Sequence, residues 1–138
     1  MENIIKVSFG ENTSLKDKIF NYMLCLLSCN TQLRINHWQT IIYSEHKLID
    51  KLIDDLNDLI DKLAEATIGR LERPQLETYQ YIITDMRISD TKFILDKLKK
   101  ETYEIFQELN ITCFEDLKNI VADIEGIINK TLYLLTLE

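Results

Sequence analysis

The chain has 138 residues, 46% of them apolar, and a formal net charge of −7 from 23 acidic and 16 basic residues. That is one domain, residues 1–138, with enough apolar side chains for a real core. Its acidic body without a basic tail is a poor partner for phosphate backbones, so no DNA binding is expected. Three glycines and one proline are too few for an all-β protein, which needs many turn residues, and point to a few long helices.

The first 13 residues read as an N-terminal arm. The start MENIIKVSFGEN has no basic region followed by an apolar stretch, so no signal peptide is expected. Thr13-Ser14 followed by Asp17 reads as an N-cap with a capping-box partner, opening a helix over about 15 to 41. Within it Cys25 and Cys29 are expected as small buried apolar residues. With Cys113 they make an odd count of cysteines, which suggests a reducing, cytoplasmic setting. Ser44 is expected to cap a second helix over about 45 to 68, closed by Gly69 just past its end. Residues 70–89 are ambiguous: Pro74 could open a short helix, while LETYQYIITDM also reads as extended. Ser89 or Asp90 caps a third helix over about 91 to 109, with Phe93, Ile94, Leu98, Ile105 and Phe106 inward. A fourth helix over about 114 to 136 carries Leu117, Ile120, Val121, Ile124, Ile127, Ile128 and Leu135 at helical spacing. Gly126 inside it weakens the helix by about 1 kcal/mol relative to alanine and is expected to mark a close helix contact. The twenty residues from 70 to 89 are long enough for a crossover, which favours an up-down-down-up bundle over a simple up-down one. No apolar run is long enough to span a membrane.

The chemistry concentrates in the stretch HWQTIIYSEHKLIDKLIDDLNDLIDKLAEATIG, which starts at His37 and holds both histidines of the protein, His37 and His46. With Asp50 at zero and about 100° per residue, His46 lies near −40°, Asp61 near +20° and Glu65 near +60°. The apolar residues Leu48, Ile49, Leu52, Ile53, Leu56, Leu59, Ile60 and Leu63 lie mostly opposite, as a core stripe. Imidazole nitrogen with carboxylate oxygen suits a transition metal such as iron. The His46/Asp50 and Asp61/Glu65 pairs are centred about 22 Å apart along the helix, so one ion cannot hold both pairs of one chain. An antiparallel second copy, crossing near residues 55 and 56, would bring one pair against the other and give two equivalent sites. Set against this, Asp54, Asp55, Asp58 and Lys62 share the helix, and a charge-rich exposed face is usually just solvated.

The same residues carry a family resemblance. His37-Trp38, His46-KLI-Asp50, Asp61-KLA-Glu65 and Gly69 resemble the pattern of the Dps-type mini-ferritins, the starvation-induced DNA-protecting proteins. The likeness covers roughly residues 20 to 70, with a weaker echo in the last helix. The chain is also similar to ferritin-like proteins of large viruses and phages that carry an HWQT…EHK pattern, which would put it inside a host cell. The resemblance implies a ferritin-like four-helix bundle with a long crossover between its second and third helices. It further implies a homo-oligomer, a dimer through the second helix and a twelve-subunit shell. It implies an intersubunit ferroxidase centre with His37, His46, Asp50, Asp61 and Glu65 as iron ligands, and Trp38 and Tyr43 beside them in redox roles. One departure stands out: the turn between His37 and His46 is three residues shorter than usual in that family, which bears on His37 alone.

The expected function is therefore iron binding, Fe(II) oxidation by hydrogen peroxide or dioxygen, and storage. The alternative is a non-enzymatic assembly or interaction protein on the same bundle. The ordinary di-iron signature, Glu-xx-His on two helices of one bundle, is absent, so any iron site would be of the intersubunit kind. No GxGxxG, Walker or zinc CxxC motif occurs, and nothing supports a catalytic pair with Cys113.

Overall fold

The computed structural model describes residues 14–76 and 78–137, so the proposed N-terminal arm lies outside them. Four helices follow one another: α1 (Leu15–Gln39), α2 (Tyr43–Leu71), α3 (Thr91–Asn110) and α4 (Glu115–Leu134). The all-helical architecture expected from the scarcity of glycine and proline is what forms.

Local chemistry sets the helix ends. Ser14 is extended and its Oγ accepts the Asp17 N–H at 3.2 Å, the N-cap read from the sequence. Between Ser89 and Asp90, it is Asp90 that caps α3, accepting the Phe93 N–H at 2.8 Å. Two other ends differ from expectation. Ser44 does not cap α2: Ile42 occupies that position and offers no side-chain bond, because Thr40 holds the turn instead, its Oγ1 accepting the Ile42 N–H at 3.2 Å. Gly69 does not close α2 either. Arg70 donates to Asp116 at 2.9 Å and lies 4.7 Å from the Phe114 ring, and these contacts with the start of α4 carry the helix on to Leu71. The left-handed residue that ends it is Glu72, with φ 80°. The link to α3 has no helix at Pro74.

Hydrogen bonds across the bundle give the direction of each helix. Gln32 donates to the Thr84 carbonyl at 2.8 Å, and Asn36 donates to the Ser89 carbonyl at 2.9 Å. The segment leaving the end of α2 therefore returns to the end of α1, and α3 starts beside the start of α2. At the other end Tyr22 and Thr102 share a hydrogen bond of 2.8 Å, and Lys18 meets Glu108 at 3.2 Å. The helices run up, down, down, up. α1 and α4 each neighbour both α2 and α3, and the pairs α1/α4 and α2/α3 are diagonal.

The core is one cluster running from Ile19 and Leu26 of α1 through Leu52, Leu56 and Leu63 of α2 to Leu98 and Val121. Burying such chains stabilises the fold by about 1.5–3 kcal/mol each before ordering costs. Some inward assignments need correction. Phe93 is exposed and Phe106 only half-buried, while Leu95 and Leu109 are buried in their stead. Phe93 lies about 150° from the centre of the buried face of α3, so its hydrophobicity misled where its angle did not. Leu48 is likewise half-buried at the flank of the α2 stripe. Gly126 is no contact point: it faces solvent, and an added Cβ would meet nothing within 4 Å. Among the described residues no helix is long and apolar enough to cross a membrane.

Candidate functional site

The corner where α1 turns into α2 gathers five of the seven residues singled out in the sequence. His37 and Trp38 come from the last turn of α1; Tyr43, His46 and Asp50 come from the first two turns of α2. The imidazoles of His37 and His46 stack, with centroids 3.9 Å apart and planes 28° apart. Tyr43 also stacks with His46, centroids 6.3 Å apart, and the Lys47 ammonium lies 5.8 Å from the Tyr43 centroid.

Two nitrogens of this corner decide what it can do. His46 Nδ1 lies 2.9 Å from the His37 carbonyl. A carbonyl only accepts, so Nδ1 carries a proton, which leaves Nε2 as the ring nitrogen that would offer a lone pair to a ligand. Metal-binding histidines are commonly oriented by such a bond to a carbonyl. His37 Nε2 is buried and has no hydrogen-bond partner. Its nearest acid is Asp50 Oδ1 at 3.7 Å, which is an ionic approach and too long for a hydrogen bond. The short turn therefore does bring His37 to the other two residues.

Asp61 and Glu65 stand elsewhere. Both are exposed on α2, which is continuous from Tyr43 to Leu71, so the separation of about 22 Å from His46 and Asp50 holds. Asp50 is also exposed, on the side away from the core. Among the described residues no three histidine, cysteine or acidic side chains come together to hold a metal ion. The chain by itself presents an incomplete donor set.

Residues the sequence gave little reason to single out hold the corner in place. Glu45 accepts from Thr40 at 3.1 Å and from Thr91 at 3.0 Å, tying the turn to the start of α3. Asn36, fully buried, donates to the Ser89 carbonyl and to Thr91 Oγ1, and accepts from Gln32 at 3.1 Å. The available signal was Gln32 and Asn36, two amides one turn apart on the apolar stripe of α1, where an unpaired polar group would be costly. Around the corner the surface is apolar and open: Ile41 is 99% exposed, Tyr43 72% and Trp38 67%. Trp38 therefore does not sit packed beside the histidines, as the family resemblance implied.

Comparison with known proteins corrects the family. Residues 37–135 match a family of unknown function, DUF5856, and the chain belongs to that family. A relative from Enterobacteria phage T4, described as an uncharacterized 14.6 kDa protein in the mobD-ri intergenic region, is 26% identical over 137 residues, 97% of this chain and 100% of the relative. No solved structure matches the chain. The kinship with Dps-type mini-ferritins, and with ferritin-like viral proteins, is thus not met: these matches bring no ferritin or Dps relationship. The reason lies in the motif. Histidines and acids at intervals of four along an amphipathic helix are what many solvated helical faces contain, so the spacing specified less than it seemed to.

Proposed function

We propose that this protein binds Fe(II) at the α1–α2 corner and promotes its oxidation by peroxide or dioxygen, with a second copy of the chain completing the site. The observation that carries this reading is the unpartnered His37 Nε2, buried beside Asp50 and stacked on a histidine whose own Nδ1 is committed to a carbonyl. Leaving a buried nitrogen unpaired costs about 1–3 kcal/mol, a cost that a bound cation would remove. Nitrogen with carboxylate oxygen suits iron. His37, His46 and Asp50 would hold it from one chain. Asp61 and Glu65, exposed and unused within the chain, would come from an antiparallel second copy meeting it along α2. Exposed Trp38 and Tyr43 stand at the same corner, where a redox-active aromatic could act. The up-down-down-up course with one long crossover is the topology of ferritin-like bundles, and that likeness of architecture supports the reading without assigning kinship.

A second reading, a non-enzymatic interaction protein, is favoured by one observation: the exposed Trp38, Ile41, Ile42 and Tyr43 form an apolar surface of the kind that marks a protein contact.

One experiment separates the two. Anaerobic titration with Fe(II), and with Co(II) as a spectroscopic probe, is followed by light scattering and by oxidation on admitting peroxide. Metal-dependent dimerisation, abolished in Asp50→Asn and in Glu65→Gln, is the expected result. Tight binding by a strict monomer, unaffected by Glu65→Gln, would sink the shared site. Absence of binding would leave the interaction reading.

A further inference from the structure

One exposed amide of α2 is held in place by a buried amide of α1. Asn30 is 7% exposed, and its Nδ2 donates to Asn57 Oδ1 at 2.7 Å. Asn30 Oδ1 is buried and has no partner. Asn57 itself is exposed. Folding gains little from fixing an exposed side chain, and a buried polar atom left unpaired calls for an explanation. The bond engages the Asn57 carbonyl oxygen from the inner side, so its NH2 group is turned outward as a donor.

The place of Asn57 on the helix says what that donor can meet. With Asp50 at zero, Asn57 lies at about −20° and Asp54 at about +40°, both on the face turned away from the core. They are equidistant from the midpoint between residues 55 and 56, one on each side. An antiparallel copy turned about that midpoint therefore sets Asn57 of each chain opposite Asp54 of the other. A carboxylate only accepts, so donor meets acceptor, twice.

Charge favours the same direction of pairing. Near the start of this face Lys47, at about +60°, meets the Tyr43 ring and makes no ion pair among the described residues. Past the midpoint the face carries Asp58, Asp61 and Glu65, all exposed, while Lys62 is turned about 120° away. The antiparallel copy brings Lys47 opposite Glu65, which shares its angle. A parallel copy would set lysine against lysine and acids against acids. Asp50 meets Asp61 in the antiparallel pairing, and these are the two acids the cation at the corner would join.

We propose that the outward face of α2 recognises a second copy of this chain in one antiparallel register, chosen by Asn57 of each chain donating to Asp54 of the other. The inference rests on the shared site in naming the second copy as partner, and it adds the residues that choose the register. Two such bonds across a wet surface select an alignment without holding a dimer together; the metal would hold it.

The test is free of metal and uses full-length chains carrying Cys113→Ser, which removes the exposed cysteine. An Asp50→Cys chain is mixed with an Asp61→Cys chain, and transient pairs are trapped with diamide. The mixture should form a disulfide-linked heterodimer at least about 10-fold faster than either chain links to itself. In the proposed register each of these positions stands about 16 Å along the helix from its own copy, far beyond disulfide reach. Adding Asn57→Asp to both chains keeps an acceptor for Asn30 but sets carboxylate against carboxylate, and should slow trapping about 10-fold. Adding Asp54→Asn as well exchanges donor and acceptor and should restore the rate. Trapping in the mixture no faster than in the single chains overturns the register. A rate unchanged by Asn57→Asp, or not restored by the further Asp54→Asn, overturns the role of Asn57. Trapping without iron uptake would uphold this surface while the iron site failed; an iron-bound dimer that does not trap would overturn this register and leave the iron site standing.

Discussion

The two tight turns of the bundle sit at opposite ends and leave their polar groups in opposite states. At the α3–α4 turn nearly every local group is used. Thr112 donates from its N–H and its hydroxyl to the Leu109 carbonyl, its Oγ1 accepts from the Phe114 N–H at 3.2 Å, and Lys118 reaches its carbonyl at 3.1 Å. Ile111 is exposed there, but alone. At the α1–α2 turn a comparable web of Thr40, Glu45 and Thr91 supports a different outcome: a buried imidazole nitrogen without a partner, amid four exposed apolar residues. The first turn is accounted for by folding. The second keeps a cost that folding does not explain, and such local inconsistencies concentrate where a protein binds or reacts.

The sharpest way to break this contrast is Asn36→Ala. It would remove at once the hydrogen bonds that one buried amide makes to Gln32, the Ser89 carbonyl and Thr91, so we expect a loss of about 3 kcal/mol in urea unfolding. Thr112→Ala at the satisfied turn should cost about 1 kcal/mol. If the two costs are equal, the corner is not the specially supported end of the molecule.

His37→Leu asks whether the unpartnered nitrogen is functional or structural. A leucine removes the orphan and keeps apolar volume, so stability should be unchanged or up by about 1 kcal/mol, while metal binding at the corner falls. A loss of more than about 2 kcal/mol would show His37 to be a folding residue, stabilised by its stack on His46.

How much of this was legible follows from what each signal encodes. The four helices were legible because apolar spacing and the Ser14 and Asp90 caps act locally, within a turn of the residues that carry them. The end of α2 was not, because Arg70 extends it through contacts with Asp116 and Phe114, 46 and 44 positions away in sequence. The corner residues were legible as donors at helical spacing, but the short turn put the reach of His37 in question, and it is the structure that brings His37 to Asp50. Their support was not legible: Asn36 and Glu45 reach Ser89 and Thr91, partners that only the return of the long link brings near. Family membership was the weakest inference, since the ligand pattern repeats the period of any helix.

Gly126→Ala supplies a control far from both turns. The glycine is helical, faces solvent and has open space where the Cβ would go. Alanine should stabilise α4 by about 0.5–1 kcal/mol through propensity alone, read as a rise in the urea midpoint. No gain, or a loss, would mean that the exposed face of α4 is covered by something in solution.

The smallest expected effect compares the acidic pins at the two ends. Near the corner Asp85 accepts from the Arg87 side chain and N–H and from Gln39, and these bonds, the Arg87 side chain foremost, hold its carboxyl down at about 2. At the far end burial pushes Asp116 up, but the Arg70 hydrogen bond and charge together with the backbone N–H groups at the start of α4 outweigh it and leave the group below the ordinary range. A lowered carboxyl pKa means that the unfolded chain binds the proton first as pH falls. The stability each pin contributes is therefore present above the ordinary aspartate range, near pH 4, and for Asp85 it is lost as pH drops toward about 2. Because Asp85 and Arg87 pair at the surface, the effect should be slight and weaker in salt. The check is a difference of unfolding midpoints: wild type should exceed Asp85→Asn at pH 5, and the gap should close by pH 2. A gap that persists at pH 2 would show that the loop is held by the shape of Asp85 rather than by its charge, and that Gln39 ties the corner to the long link without help from Arg87.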